Sequence, residues 1–207
     1  MTMTRRQFTA LAASAAALPL MQAGPTLAES EPAKADSGLY TQEWFLDSFL
    51  NMKDDLVEAG EAGKHFAVIW EQNGCPYCRE THKVNFARAE IRDYIKANFN
   101  MLQLDLWGPR KVTDFDGKEM SEQKLGRRWG VNFTPTVIFF AKATEVAAGK
   151  SARDLEVARM PGYFKPFHFL RMFEYVRSGS YEKMPFQRFI QARAEELRKQ
   201  GQKIELW

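Results

Sequence analysis

The chain has 207 residues, of which 45% are hydrophobic and 13% aromatic, and its formal net charge is +3. This length and composition predict one domain of ordinary size whose core needs no disulfide bonds, so the two cysteines are free to serve a function. The nearly balanced charge gives no electrostatic reason to expect a nucleic acid or an anionic membrane as partner.

Residues 1–28 have the pattern of an export signal. Arg5 and Arg6 precede an uncharged run of about 14 residues, Phe8–Met21, which is shorter than the roughly 20 residues that cross a bilayer as a helix. We therefore expect a cleaved signal rather than a membrane anchor. The arginine pair resembles the twin-arginine consensus, and a general secretory signal with an ordinary positive start is the alternative. Either signal predicts a periplasmic protein.

The segment after the signal is predicted to change from a flexible leader to regular structure. Residues 29–40 are rich in proline, alanine, serine and charge, which predicts the leader. Over Thr41–Ala62, apolar residues recur every three or four positions, the spacing of an amphipathic helix that faces the core. The next segment, Phe66–Trp70, is β-branched and aromatic, as in a buried strand. The apolar residues of the predicted helix are Trp44, Phe45, Phe49, Met52, Leu56 and Val57.

The two cysteines follow this strand in the motif Cys75-Pro76-Tyr77-Cys78. Pro76 suits the first turn of a helix, where its missing N–H costs nothing, and the helix is predicted to run to about Arg88. The spacing brings the sulfurs within bonding reach and leaves Cys75 at an exposed helix start. A helix N-terminus stabilises a thiolate, and in such motifs the cysteine pKa falls from ~8.5 to roughly 3.5–7.5. Cys75 is therefore the predicted nucleophile and Cys78 the resolving thiol.

Other uses of the same spacing are less favoured. A permanent disulfide closing a four-residue loop stabilises little. Covalent haem attachment requires a histidine directly after the second cysteine, where this chain has Arg79. Zinc needs four ligands, and Cys75, Cys78 and His82 offer three, which leaves copper or zinc binding open. We interpret His82 as a solvent-edge residue of the helix, and we predict no metal and no cofactor.

The remaining predicted elements alternate between helix and strand around a polar insertion, Trp107–Met120. Together with the first elements they predict an α/β domain over residues 41–178 and a C-terminal helical extension over residues 179–207. Ser121 is the expected N-cap of the helix after the insertion. The helices are predicted at Glu90–Asn98, Ser121–Trp129, Pro166–Val176 and Pro185–Gln200, and the strands at Met101–Leu106, Thr136–Ala141 and Leu155–Met160.

A threonine–proline pair, Thr134-Pro135, directly precedes one of these strands, and cis peptide bonds are nearly confined to X-Pro. With this pair the chain resembles the thioredoxin superfamily, through FAVIWEQNGCPYC and GVNFTPTVIFF. The phrases WEQNGCPYC, VTDFDGKEMSE and RRWGVNFTPT further resemble the exported thioredoxins of bacterial sulfur oxidation, the SoxW type. The resemblance covers roughly Thr41–Val176.

The resemblance implies a thioredoxin-like fold, a central mixed sheet flanked by helices, here with extra N- and C-terminal helices. It also implies Cys75 as the nucleophile, Cys78 as the resolving thiol and Pro135 as a cis-proline packed opposite them. The residue before that proline is expected to touch the substrate backbone. The substrate-binding residues expected from the resemblance are Pro76, Tyr77, Thr134 and Pro135.

The chain departs from cytosolic thioredoxins at two places. Those proteins have a buried aspartate six residues before the first cysteine, where this chain has Ile69. Glu71 lies nearby, and we interpret it as a surface residue of the turn. Pro76 and Tyr77 replace a Gly-Pro pair and also occur in glutaredoxins. They predict a potential of about −200 to −230 mV, less reducing than the ~−270 mV of thioredoxin.

The combined prediction is an exported thiol–disulfide oxidoreductase that reduces disulfides or oxidised cysteines of partner proteins through a mixed disulfide at Cys75. The sulfur-oxidation resemblance implies two partners, a sulfur-carrier protein with a reactive cysteine and a membrane protein that donates electrons. Three alternatives remain: a disulfide oxidant or isomerase, a reductase for cytochrome c maturation, and a non-catalytic metal-binding or interaction module. The short, polar insertion favours reduction over oxidation. Trp107 and Phe133 are candidates for partner recognition.

Overall fold

The computed structural model describes residues 32–142 and 150–202, so the predicted export signal lies outside the described residues. In these ranges no helix combines the length and the apolar run needed to span a membrane. The helix that begins at Pro76 continues directly into a π-helix, Thr81–Phe86. The helices are α1 (Met52–Glu61), α2 (Pro76–Glu80), α3 (Ala89–Asn98), α4 (Glu122–Arg128), α5 (Ala152–Leu155), α6 (Pro166–Arg177) and α7 (Phe186–Lys199). The strands are β1 (His65–Glu71), β2 (Phe99–Asp105), β3 (Lys111–Thr113), β4 (Glu119–Ser121), β5 (Thr136–Phe140) and β6 (Glu156–Pro161).

The main sheet has the strand order β2-β1-β5-β6. β1 pairs in parallel with β2 and antiparallel with β5, and β6 pairs antiparallel with β5. The central strand β1 is buried along its whole length. A strand covered on both faces reads as a continuous apolar run, which is why the sequence predicted it. The observed strand is longer by one residue at each end, His65 and Glu71, and both polar residues are buried.

A hydrophobic core lies on each face of the sheet, because successive side chains of β1 point to opposite faces. Phe66, Val68 and Trp70 belong to one core, which includes residues of α1 and α4. Ala67 and Ile69 belong to the other, which includes residues of α3 and α6. The predicted α/β architecture, a mixed sheet flanked by helices with additional helices before and after it, is confirmed.

The helix predicted over Thr41–Ala62 is wrong in its first half. α1 begins only at Met52. The side chain of Asn51 caps it by accepting hydrogen bonds from the backbone N–H groups of Lys53 and Asp54, at 3.2 and 3.4 Å. A capping residue in the middle of the periodic pattern therefore marks the true start of the helix.

The segment before α1 is a turn followed by irregular backbone, although its apolar residues are spaced as in a helix. The rings of Trp44 and Phe45 pack edge-on against Phe86. Phe49 and Val57, which were predicted to face the core, are exposed. Tertiary contacts therefore determine the conformation of this segment, and they override the weak helical preference indicated by the spacing of its apolar residues.

The described part of the predicted leader, residues 32–40, folds back on itself. The N–H of Thr41 donates to the carbonyl of Ala33 at 2.9 Å, Lys34 and Tyr40 form an antiparallel bridge, and Leu39 is buried. The composition did not predict this turn, because backbone hydrogen bonds hold it and leave no periodic apolar pattern.

The polar insertion, Trp107–Met120, contains most of the β3-β4 hairpin. Gly117 lies in its turn with φ at +80°, a conformation that glycine tolerates without strain. The next helix begins as predicted, since the Ser121 hydroxyl accepts the N–H of Lys124 at 3.3 Å. The other predicted helices and strands agree with the structure to within two residues at either end.

Candidate active site

Cys75 lies at the start of α2, directly after the turn that follows β1. Gly74 permits this turn with φ at +74°. The side chain of Cys75 caps the helix, because its Sγ accepts the backbone N–H of Cys78 at 3.1 Å. The two cysteines form a disulfide with their Cα atoms 5.3 Å apart. The fold thus assembles the predicted pair, here in its oxidised form.

Both cysteines are more covered than the sequence predicted. Cys75 is 5% exposed and Cys78 is 1% exposed, whereas Cys75 was expected at an open helix end. The reason is tertiary, since the loop before β5 packs against the first cysteine. The residues on either side of Cys75 are exposed. The disulfide therefore lies just beneath the surface, and Cys75 is the more accessible of its two cysteines.

The loop against Cys75 contains Thr134 and Pro135, which are joined by the cis peptide bond that the sequence predicted. The Thr134 hydroxyl oxygen lies 3.4 Å from Cys75 Sγ, and its carbonyl oxygen lies 3.6 Å away. The loop is anchored on its far side, where the N–H of Gly162 donates to the carbonyl of Pro135 at 2.7 Å. The fold therefore brings the threonine–proline pair and the dithiol motif together.

Large aromatic side chains are exposed around this position. Tyr77, Trp107 and Phe133, which we call the aromatic rim, are 61%, 59% and 66% exposed. Tyr77 lies inside the dithiol motif, and Phe133 directly precedes the threonine–proline pair. The indole N–H of Trp107 donates to Gln72 Oε1 at 3.2 Å, beside the turn that leads to the first cysteine. Exposed apolar surface of this kind is typical of binding sites.

The strand and the helix that flank the disulfide carry two buried polar residues, Glu71 and His82. Each is 1% exposed, and His82 Nε2 lies 3.0 and 3.2 Å from the two carboxylate oxygens of Glu71. Both sequence interpretations were wrong, since Glu71 is the last residue of β1 and His82 faces that strand. One signal was available, because a histidine four residues after Cys78 shares its side of the helix.

The Glu71–His82 pair makes further hydrogen bonds. Gln103 on β2 donates through Nε2 to the Glu71 carboxylate, and also to the carbonyl of Tyr40 at 2.6 Å. On the other side of the pair, Gln42 Nε2 lies 3.0 Å from His82 Nδ1. The polar atoms of the pair are therefore satisfied, as burial requires.

The histidines do not converge on the cysteines as metal ligands. His65 begins β1, at the end away from the dithiol, and His168 lies on α6. Both ring nitrogens of His82 are already engaged in hydrogen bonds. Over the two described ranges, no group of three or more histidine, cysteine, aspartate or glutamate side chains is arranged to hold a metal ion.

A family model described as a thioredoxin-like domain matches residues 52–177, more than half of the chain. The chain belongs to the thioredoxin-like domain family. The match includes both cysteines of this thioredoxin-like protein, the Thr134–Pro135 pair and every strand of the sheet. No curated protein sequence matches the chain.

Solved structures resemble the thioredoxin-like protein at low sequence identity. A thioredoxin-fold protein from Helicobacter pylori matches 74% of this chain and 94% of its own, with 22% identity and a TM-score of 0.52. A thioredoxin from Thermus thermophilus matches 61% of this chain and 83% of its own, with 23% identity and a TM-score of 0.46. The periplasmic thioredoxin SoxS from Paracoccus pantotrophus matches 56% and 99%, with 20% identity and a TM-score of 0.35. The first likeness shows that the fold is shared.

Family and site together define the chemistry. A thioredoxin-like protein with a bonded Cys-x-x-Cys pair is a thiol–disulfide oxidoreductase. In the reduced state, the N–H of Cys78 and the helix N-terminus are placed to stabilise a thiolate on Cys75. Because Cys78 lies one turn further along, it can attack Cys75 and close the ring again.

Proposed function

We propose that the protein is an exported, periplasmic reductase of protein disulfides, with Cys75 as the attacking sulfur and Cys78 as the resolving one. The asymmetry of the pair supports this most strongly. Cys75 Sγ accepts the N–H of Cys78 at the helix start and borders Thr134, whereas Cys78 is almost fully buried. A partner protein therefore meets Cys75 first.

The reaction starts from the reduced protein. The Cys75 thiolate attacks one sulfur of a partner's disulfide, which forms a mixed disulfide and releases the partner's other sulfur as a thiolate that takes up a proton. The Cys78 thiol then loses its proton and attacks Cys75 Sγ, which releases the partner's second thiol. Two electrons pass from the dithiol to the partner, and the protein is left with the Cys75–Cys78 disulfide. An external thiol donor must reduce this disulfide again.

The surroundings of Cys75 support binding of an extended partner chain. Thr134 and Pro135 form one side of the site, where backbone groups can pair with the partner backbone, and Pro76 and Tyr77 form the other side. The aromatic rim adds apolar contact area, and aromatic residues are enriched in the buried centres of protein interfaces. These contacts favour a protein substrate over a small thiol.

The first 28 residues support the periplasmic location, through their arginine pair and short apolar run. The periplasm is oxidising, so a reductase there depends on a membrane protein that donates electrons. The SoxW-like sequence phrases support a role in sulfur oxidation. In that role the substrate is a sulfur-carrier protein with an oxidised reactive cysteine.

Serine substitutions of the two cysteines test the proposal. Cys75→Ser should lower reduction of insulin disulfides to background, because it removes the attacking sulfur. Cys78→Ser keeps the attack but removes resolution, so mixed disulfides with natural partners should accumulate on Cys75 and can be identified by mass spectrometry. The double variant is the control and should trap nothing.

The trapped proteins distinguish the alternatives. Recovery of a few folded proteins with a reactive cysteine, among them a sulfur carrier, supports the reductase. Recovery of many unfolded secretory proteins would identify an oxidant or isomerase instead. Insulin reduction that survives Cys75→Ser would contradict the assignment of the nucleophile.

A further inference from the structure

A segment outside the family match completes the hydrogen-bond network beside the dithiol. The match begins at residue 52, whereas Gln42 and Trp44 precede it. Gln42 Nε2 lies 3.0 Å from His82 Nδ1, and the Trp44 indole nitrogen lies 3.2 Å from Gln42 Oε1. The contacts therefore run from Trp44 through Gln42 and His82 to Glu71, at the end of β1.

The chemistry of the donors fixes the direction of each bond. An indole N–H can only donate, so the atom of Gln42 that Trp44 meets is the carbonyl oxygen. The amide nitrogen of Gln42 therefore faces His82 and donates to Nδ1, which must be unprotonated to accept. The ring proton of His82 is then on Nε2, from which it is donated to Glu71. His82 is held as the neutral Nε2–H tautomer.

The side chain of Glu71 accepts hydrogen bonds. Its hydrogen-bond partners are the Nε2–H of His82 and the amide N–H of Gln103. A protonated carboxyl group would need an acceptor for its own O–H, and neither partner offers one. Glu71 is therefore an ionised carboxylate, and the buried Glu71–His82 pair carries a net charge of −1.

We propose that Gln42 and Trp44 are positioning residues for the dithiol, because they hold His82 as the neutral Nε2–H tautomer and leave the charge of Glu71 uncompensated. The inference rests on the proposed function only in that the dithiol must cycle between its two redox states. A buried anion disfavours a nearby thiolate, since like charges repel strongly where water is excluded. It therefore disfavours the reduced form relative to the disulfide. The couple is then more reducing than the Pro-Tyr dipeptide of the motif predicts.

Several other groups face His82 from the elements packed around it. They include the Tyr40 ring, whose centroid lies 6.1 Å from the His82 ring, and Cys78, one helical turn earlier. A cavity of about 500 Å³ is lined by His82, Gln42 and Trp44, and water there can supply a proton to Nδ1 once the Gln42 amide no longer occupies it. The charged residues that line this cavity are Glu43, Lys83, Arg92 and Lys96.

Nitrogen-15 NMR of the histidine rings in the oxidised protein tests the tautomer directly. In the natural sequence we expect His82 to have an unprotonated Nδ1 and a protonated Nε2. Trp44→Phe retains a ring against Phe45 and Phe86 but removes the N–H, so the Gln42 amide can turn its oxygen towards His82. Gln42→Ala removes the amide altogether. In both variants His82 should gain a proton on Nδ1 beside the one on Nε2.

The redox equilibrium provides a second measurement. Both variants should favour the reduced protein over the natural sequence by about three- to tenfold against a dithiol buffer, and tenfold corresponds to about 30 mV. Asp47→Asn changes an exposed acidic residue in the same segment, and this control should match the natural protein.

Three results would overturn the inference. The first is a proton on Nδ1 of His82 in the natural protein at about pH 7. The second is an unchanged His82 ring in both variants, and the third is an unchanged redox equilibrium despite the second ring proton. A dithiol that never cycles would instead refute the proposed function, and the ring spectra of the oxidised protein would still decide the tautomer.

Discussion

Two buried titratable side chains away from the dithiol give the protein opposite pH dependences of stability. Neither ring nitrogen of His65 has a hydrogen-bond partner among the described residues. Burial, followed by the positive charges of Arg177 and Lys142, lowers the pKa of His65 to about 4. Burial raises the pKa of Asp55 to about 6, although a hydrogen bond from Ser48 acts in the opposite direction. In both side chains, burial disfavours the charged form.

We expect His65→Phe to stabilise the protein in acid. The unfolded histidine binds a proton near pH 6.5 and the folded one only near pH 4. The natural protein therefore loses stability as the pH falls through this window, by about 3 kcal/mol in all. Phenylalanine has a similar shape, can pack against Phe99 as the histidine does, and does not titrate. In urea unfolding, the advantage of the variant should grow as the pH falls from about 7 to 5.

Asp55→Asn is the matched control, because its effect on stability should change with pH in the opposite direction. Folded Asp55 releases its proton near pH 6, whereas the unfolded residue does so near pH 3.8. The natural protein therefore loses stability as the pH rises through this window, and the advantage of asparagine should grow in the same direction. If the gain in unfolding free energy did not change with pH in either variant, burial of the titratable group would not explain the effect.

Among the elements, β6 fixes the loop that borders the dithiol. The guanidinium of Arg159 donates to the carbonyl oxygens of Trp129 at 2.8 Å and Gly130 at 3.2 Å, which end helix α4. Its other N–H groups donate to the Glu156 carboxylate at 2.6 and 2.7 Å. The chain then runs from Gly130 to Thr134 against the first cysteine. One arginine on the edge strand therefore anchors the start of the loop that borders the dithiol.

Arg159→Ala should destabilise the protein by about 1–3 kcal/mol, because two carbonyl oxygens and a carboxylate lose a charged donor. It should also lower kcat/KM for insulin reduction several-fold, since the loop beside Cys75 loses an anchor. Arg153→Ala removes an exposed arginine of the same charge on α5 and should change stability by less than about 0.5 kcal/mol. Equal losses in the two variants would show that net charge, rather than the anchor, is responsible.

At the level of the whole molecule, the C-terminal helix α7 is attached to α6 through aromatic contacts. The rings of Phe186 and Phe189 each lie with their centroids 5.3 Å from that of Tyr175, and the Tyr175 hydroxyl donates to the carbonyl of Met184 at 2.6 Å. Of the residues of α7, all of which the structure describes, Ala194 alone is buried. The helix is therefore held along one narrow face, and we expect it to open more easily than the sheet.

Phe189→Ala should loosen α7 and leave the sheet intact. Loss of a partly buried ring costs about 1–2 kcal/mol, so amide hydrogen exchange in α7 should become about tenfold faster while exchange in β1 and insulin reduction stay unchanged. Arg188→Ala, which changes an exposed neighbour, should leave α7 as it is. Faster exchange in β1 as well would show that α7 and the sheet unfold together.

The sequence by itself determined the features that depend on a few adjacent residues. The buried strand before the cysteines, the proline in the first turn of their helix and the cap at Ser121 follow from local propensity and backbone constraint. The Thr134–Pro135 turn is local in the same sense. These features were sufficient to predict the α/β class, the dithiol and the resemblance to thioredoxins.

Only the tertiary structure decided how far Cys75 is covered, where the segment before α1 runs, and that Glu71 and His82 are buried. Each depends on contacts between elements that are distant in sequence. Cys75 contacts Thr134, 59 residues further along the chain, and His82 contacts Glu71, 11 residues before it. From the sequence alone, a polar side chain is predicted to be exposed to solvent, because burying it without a hydrogen-bond partner is costly. Glu71 becomes stable in the interior because the fold brings His82 and Gln103 to it as donors, and no local pattern specifies that meeting.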